Sequence, residues 1–152
     1  MTGVGASVTV DDTELRAELA RVRARLANML PVMRSIGQTL RTNVDLGFRG
    51  EHDPWDRAWR PLSRRTLAQR RGTSAQILRD TGRLANSMTY RADRNSVSVG
   101  TNVEYAEDHQ FGVPARRVPI RAMLPIRNGQ VDLPQTWKDD ILDILAIYLR
   151  RP

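Results

Sequence analysis

Residues 15–40 read LRAELARVRARLANMLPVMRSIGQTL. Within them Leu15, Leu19, Val22, Leu26, Met29, Met33, Ile36 and Leu40 recur at alternating spacings of four and three. On a helix that spacing holds the apolar side chains on one stripe, the a/d seam of a helical pair or coiled coil. Pro31 interrupts the pattern, because its ring clashes with the carbonyl four residues back and disfavours helical backbone at Leu30. The stretch therefore predicts two N-terminal helices, or one sharply kinked helix, ending near Gly47 to Gly50. Upstream, Ser7 to Val10 alternates polar and apolar as a short strand does, and Asp11 or Asp12 supplies an N-cap.

Beyond the helices the chain changes character. Glu51 to Pro61 sets Trp55 and Trp59 among charges and two prolines, which reads as an extended loop anchored by its aromatic residues. Ser63 caps a short helix closed by Gly72, with Leu62 and Leu67 facing inward. Another short helix is expected from Thr81 to Ser87. Met88, Tyr90 and Ala92 then alternate against Val97, Val99 and Thr101 across the polar turn Asp93-Arg94-Asn95, a hairpin. One or two helical turns follow between Val103 and Phe111, stopped by Gly112 while Phe111 buries. A second hairpin centres on Asn128-Gly129, with Pro125 confining its first arm to an edge. Pro134 suits the first turn of a closing helix whose apolar face is Trp137, Ile141, Ile144, Leu145, Tyr148 and Leu149. The class is α+β: two N-terminal helices, a small antiparallel sheet of hairpins and a C-terminal helix, forming a single domain over residues 1–152.

Charge is distributed unevenly along this plan. The net charge of +7 equals the balance of residues 57–83 alone, where Arg57, Arg60, Arg64, Arg65, Arg70, Arg71, Arg79 and Arg83 face one acid, Asp80. An arginine surface of this kind suits an acidic protein partner or a phosphate backbone. With no cysteine there is no disulfide, no thiolate metal site and no thiol nucleophile. No segment approaches the roughly 18 apolar residues of a membrane span, and the first ten residues lack the features of a signal peptide. Cytoplasmic synthesis, with no membrane partner, is the expectation.

Catalytic patterns are equally sparse. Glu51-His52-Asp53 places three metal-ligand types side by side, but neighbours on an extended chain point to opposite faces and do not converge on one ion. His109 lies near Glu104, Glu107 and Asp108, an arrangement that reads as a helix turn with a hydrogen-bonded histidine. The chain contains no G-x-S-x-G elbow, no phosphate-cradling P-loop and no H-E-x-x-H pair. These readings point away from an enzyme and call for no cofactor and no metal.

From Trp59 onward, several short motifs follow one another in a specific order. They are Trp59-Arg60-Pro61-Leu62-Ser63, then Ile77-Leu78-Arg79-Asp80-Thr81-Gly82-Arg83-Leu84, then Val99-Gly100-Thr101-Asn102-Val103 leading to Tyr105, then His109-Gln110-Phe111-Gly112 and Val118-Pro119-Ile120-Arg121-Ala122-Met123-Leu124. In this order the chain resembles the virion morphogenesis family of tailed phages, which includes the tail completion proteins of Mu-like phages. The resemblance implies a structural subunit of the virion tail or neck, assembled in the host cytoplasm. It implies partners as well: further copies in a ring, six-fold by family resemblance, and neighbouring neck, tail terminator or connector proteins, with genomic DNA passing close by. A competing reading is a nucleic-acid-binding module that uses the block from Arg57 to Arg83. A third, a hydrolase using His109, would show as turnover lost in His109→Ala with assembly intact.

Overall fold

The computed structural model describes residues 12–151. The strand expected at Ser7 to Val10 and the capping role of Asp11 lie outside these residues. Two helices, α1 (Thr13–Ala27) and α2 (Leu30–Gly50), replace the single seam, and the chain breaks at Asn28 and Met29 so that Pro31 enters α2 in its first turn. There its missing N–H costs nothing. Asp12 stands at the start of α1, but its carboxylate pairs with Arg16 at 2.6 Å instead of capping the helix.

The two halves of the seam have different fates. In α2 the buried row is Val32, Ile36, Val44 and Phe48, with Leu40 partly buried between them. This fourth-residue spacing follows one ridge of the helix. In α1 no residue is buried, and Leu15, Leu19 and Leu26 are 61%, 59% and 54% exposed. The expected helical pair within the seam is thus corrected: α1 leans on the last helix, with Arg25 donating to the Leu149 carbonyl and the Tyr148 hydroxyl to that of Asn28.

The first hairpin, β1 (Thr89–Ala92) and β2 (Val97–Gly100), pairs Tyr90 with Val99 and Ala92 with Val97, and packs on α2. Asp93 fixes its turn by accepting from the N–H groups of Asn95 and Ser96, both at 2.7 Å. Those bonds favour the ionised carboxyl and hold Asp93 below the ordinary carboxylate range. The second hairpin, β3 (Ile126–Arg127) and β4 (Gln130–Val131), turns on Asn128 and Gly129 with φ of 52° and 74°. Both residues thus hold the left-handed backbone that this dipeptide tolerates best. The two hairpins stay separate sheets. The closing helix α6 (Gln135–Arg150) buries Trp137 and follows Pro134, which sits at the N-cap instead of inside the first turn. Phe48, Trp59, Ile77, Leu84, Met88, Val103, Met123 and Trp137 belong to one core.

Two short helices depart from the sequence reading in their bounds, and a third in what it buries. α3 (Arg64–Ala68) is capped by Ser63, whose hydroxyl accepts from the Thr66 N–H at 3.1 Å, but it ends before Gln69 and not at Gly72. Five residues give Leu67 no inward face to keep, and it is 43% exposed. α4 (Arg83–Asn86) starts later than expected, after Gly82 at φ 77°. α5 (Ala106–Phe111) ends at Gly112, where φ 73° and ψ 160° form a combination open only to glycine. The burial expected of Phe111 is overturned. Phe111 is 49% exposed, and Gln110 goes inward in its place because the adjacent backbone needs partners there.

Gly82→Val tests this local geometry. A β-branched residue at φ 77° is strained, and its Cβ would meet the Asn86 side chain at 3.2 Å. A loss of about 1–3 kcal/mol in unfolding free energy is expected by urea denaturation. No measurable loss would place the strain elsewhere.

Candidate functional site: an arginine-lined cleft

Three of the ordered motifs meet along residues 121–124. The Trp59 indole Nε1 donates to the Ala122 carbonyl at 3.0 Å. Arg121 donates from Nε to the Arg60 carbonyl at 2.9 Å and from Nη2 to the Pro61 carbonyl at 3.2 Å, while its backbone N–H donates to the His109 carbonyl at 2.7 Å. The Gln110 carboxamide accepts from the N–H groups of Met123 and Leu124, and donates to the Leu124 carbonyl, all at 2.9 Å. The segment forms no strand ladder, so side chains satisfy its backbone instead. Trp59, Pro61, His109 and Gln110 therefore act as a clasp. Leu84 anchors the neighbouring turn in the core.

Beside the clasp lies a cleft of about 590 Å³. Arg70, Arg71, Arg83, Arg116, Arg117 and Arg121 line it, against Asp80 as the sole acid of the lining. Leu62, Leu78, Leu84, Val118 and Pro119 give it apolar walls, and Thr81, Gly82, Tyr105 and His109 complete the rim. Three turns around it hold left-handed backbone, at Leu78 (φ 58°), Gly82 (φ 77°) and Arg117 (φ 56°). Strain at the two non-glycine residues persists only where surrounding contacts impose it.

The arginines differ in how their charge is met. Arg116 pairs with Asp108 at 2.8 Å, Arg83 lies 6.0 Å over the Tyr105 ring, and Arg70 donates to the Ser74 carbonyl at 2.9 Å. Asp80 accepts from the backbone N–H of Arg71 at 3.2 Å, so it braces the loop; Thr81 is the residue whose hydroxyl accepts from the Arg83 N–H. Arg121 is 6% exposed, and among the described residues no carboxylate forms an ion pair with it. Burial and the like charges of Arg60 and Arg70 weaken its hold on its proton. His109 stands edge-on to Tyr105 with ring centroids 6.1 Å apart, and its buried Nδ1 has no hydrogen-bond partner among the described residues.

Of the eight arginines singled out in the sequence, Arg70, Arg71 and Arg83 enter the cleft. Arg57 turns to Asp53 at 3.6 Å and to the Trp55 ring, Arg79 reaches Asp45 at 3.6 Å, and Arg64 and Arg65 point to solvent from α3. Arg60 contributes its carbonyl. Arg116, Arg117 and Arg121 were missed because a sum along the chain cancels them against acids, such as Asp139, Asp140 and Asp143 of α6, that lie outside the cleft. The arginine pair that follows Pro114 was the available signal. The two tryptophans near the arginine block lie apart from the cleft: Trp59 is in the core against Phe48, and Trp55 stacks under Arg127 at 3.7 Å.

Burial depresses the affinity of His109 for a proton, the Arg121 charge adds to this, and Asp108 opposes it. The folded chain therefore binds that proton less readily than the unfolded chain, whose imidazole titrates near pH ~6.5. Stability is full above that value and falls as the pH drops through it toward the lower folded value. Urea denaturation at pH 7.5 and 5.5 should show a decline that His109→Gln reduces. An unchanged decline would assign it to other groups.

The chain matches the model of the phage virion morphogenesis family over residues 10–149. It is also 34% identical over 131 residues, 86% of each chain, to the Mu-like prophage FluMu G protein 2 of Haemophilus influenzae. No solved structure matches it.

Proposed function

This chain belongs to the phage virion morphogenesis family, a structural kind of role in the phage virion, and from that premise we propose that it is a tail completion or neck component. Its copies close into a ring, six-fold in the reading favoured here, which joins the tail to the head connector and contacts neck or tail terminator proteins while the genome passes close by. It works by assembly and not by turnover.

The observation that carries this reading is the exposed row on α1. Leu15, Leu19, Val22 and Leu26 keep the a/d spacing, yet among the described residues the three leucines stay exposed and Val22 is only half-buried. A helix of 15 residues is marginal in water without a partner for its apolar face. The charges beside the row favour a second copy in parallel. Taking Leu19 and Leu26 as a positions, Glu18 of one helix faces Arg23 of its neighbour in the g-to-e′ contact that sets partner choice. Passed one way around an axis, from Glu18 of each copy to Arg23 of the next, the contact is head-to-tail and closes a ring.

Leu15→Asp with Leu19→Asp tests the proposal. Circular dichroism and unfolding of the subunit should change little, because neither residue contributes to the core. Mass photometry and electron microscopy should show the ring lost. A wild-type chain that remains monomeric and is absent from virions would overturn the reading.

A further inference from the structure

We infer that the arginine-lined cleft is a docking site for an acidic, leucine-containing segment of a partner protein, with one carboxylate seated on Arg121. The partner's identity as a neighbouring virion protein rests on the assembly role proposed above; the chemistry of the site does not.

The first argument is an uncompensated charge. A buried guanidinium without a counter-charge is unfavourable, whereas a carboxylate bound by the planar fork offsets that cost. Two donors of Arg121 are committed to the Arg60 and Pro61 carbonyls, which fixes the group without neutralising it. Arg60 and Arg70 raise the positive potential around it further. The fold thus holds a cation rigidly at the wall of a cleft and leaves its neutralisation to something from outside.

The second argument separates carboxylates from phosphodiesters. Single-stranded nucleic acid is held by a basic track with aromatic faces for the bases. The tryptophans lie elsewhere, and Tyr105, the aromatic residue of the rim, already has Arg83 over its ring and His109 in T-shaped contact with it. A duplex presents its phosphates along a convex surface, while these arginines converge within a concavity. The apolar walls formed by Leu62, Leu78 and Val118 have nothing to offer a phosphate chain. They match the apolar side chains that flank acids in a peptide, and charge complementarity supplies specificity.

The test uses the full chain with two fluorescent probes, a short glutamate-rich peptide with interspersed leucines and an oligothymidylate of equal formal charge. Anisotropy should show the peptide bound more tightly. Arg121→Gln should weaken it at least tenfold, and Arg57→Gln, outside the cleft, should leave it unchanged. Because Arg121 also braces the clasp, Arg70→Gln with Arg117→Gln provides a second variant, and it too should weaken the peptide tenfold or more. In the wild type, peptide should shift the His109 imidazole resonances. Oligothymidylate bound as tightly as the peptide, or peptide affinity unchanged in the double variant, would overturn the inference. Binding by a chain that forms no ring would leave the cleft assignment standing and remove the ring; a ring whose cleft ignores the peptide would do the reverse.

Discussion

Replacing Trp59 with alanine is expected to cost about 3–5 kcal/mol of unfolding free energy, as deletion of a buried aromatic side chain does. Three interactions go together. The indole is 5% exposed, stands edge-on to Phe48 at a centroid distance of 5.6 Å, and donates to the Ala122 carbonyl. Edge-to-face pairs add about 0.5–1.5 kcal/mol beyond the area they bury. The abandoned carbonyl is buried among core residues and carries a penalty of its own. Since marginal domains hold about 5–15 kcal/mol in all, equilibrium unfolding of Trp59→Ala should reveal a chain close to the threshold of folding. Trp59→Phe should recover the packing and not the hydrogen bond, which separates the two contributions. If both variants unfold like the wild type, Trp59 does not anchor the clasp.

Gln110→Ala is expected to cost about 2–5 kcal/mol, the sum of two backbone N–H groups and one carbonyl left without their partner at about 1–3 kcal/mol each, less what water restores. Gln110→Glu is the sharper variant. It keeps an acceptor for Met123 and Leu124 but places a carboxylate against the Leu124 carbonyl where the wild type has a donor. Hydrogen exchange should locate the damage: amide protection at Met123 and Leu124 should fall first, ahead of α2. Unchanged protection there would show that the segment is held by other means.

The contrast between Gln110 and Phe111 shows where sequence reasoning loses its grip. Periodicity and turn residues identified the two N-terminal helices, both hairpins and the closing helix, with the break falling at Asn28 and Met29 just ahead of Pro31, because backbone geometry and apolar spacing are local properties. It sent Phe111 inward and gave Gln110 no burial, whereas Phe111 is exposed and Gln110 is buried, because the demand for polar partners comes from residues 121–124, more than ten positions away. The same limit governs the cleft. Arg70, Arg71 and Arg83 were found as part of a run, whereas Arg116, Arg117 and Arg121 join them only through the turns at Leu78, Gly82 and Arg117. The a/d seam was legible as a pattern but not as a destination. In the second half Ile36 is buried and Leu40 packs on the core, in the first half the leucines face water, and spacing alone does not distinguish a partner within the chain from one outside it.

The break at Asn28 and Met29 gives the subunit a joint. Beyond it α1 contributes no side chain to the core and is fastened to the final turns of α6 by the Arg25 and Tyr148 hydrogen bonds. Such bonds stabilise by about 0.5–1.5 kcal/mol each, so unfastening the helix demands a small fraction of the folding free energy and uncovers no interior surface. A rigid arm pinned to the far end of its own chain can exchange that attachment for another while the body stays folded. The first and last described helices are thereby drawn into one event, and removing residues 148–151 should free the arm as effectively as an approaching neighbour would.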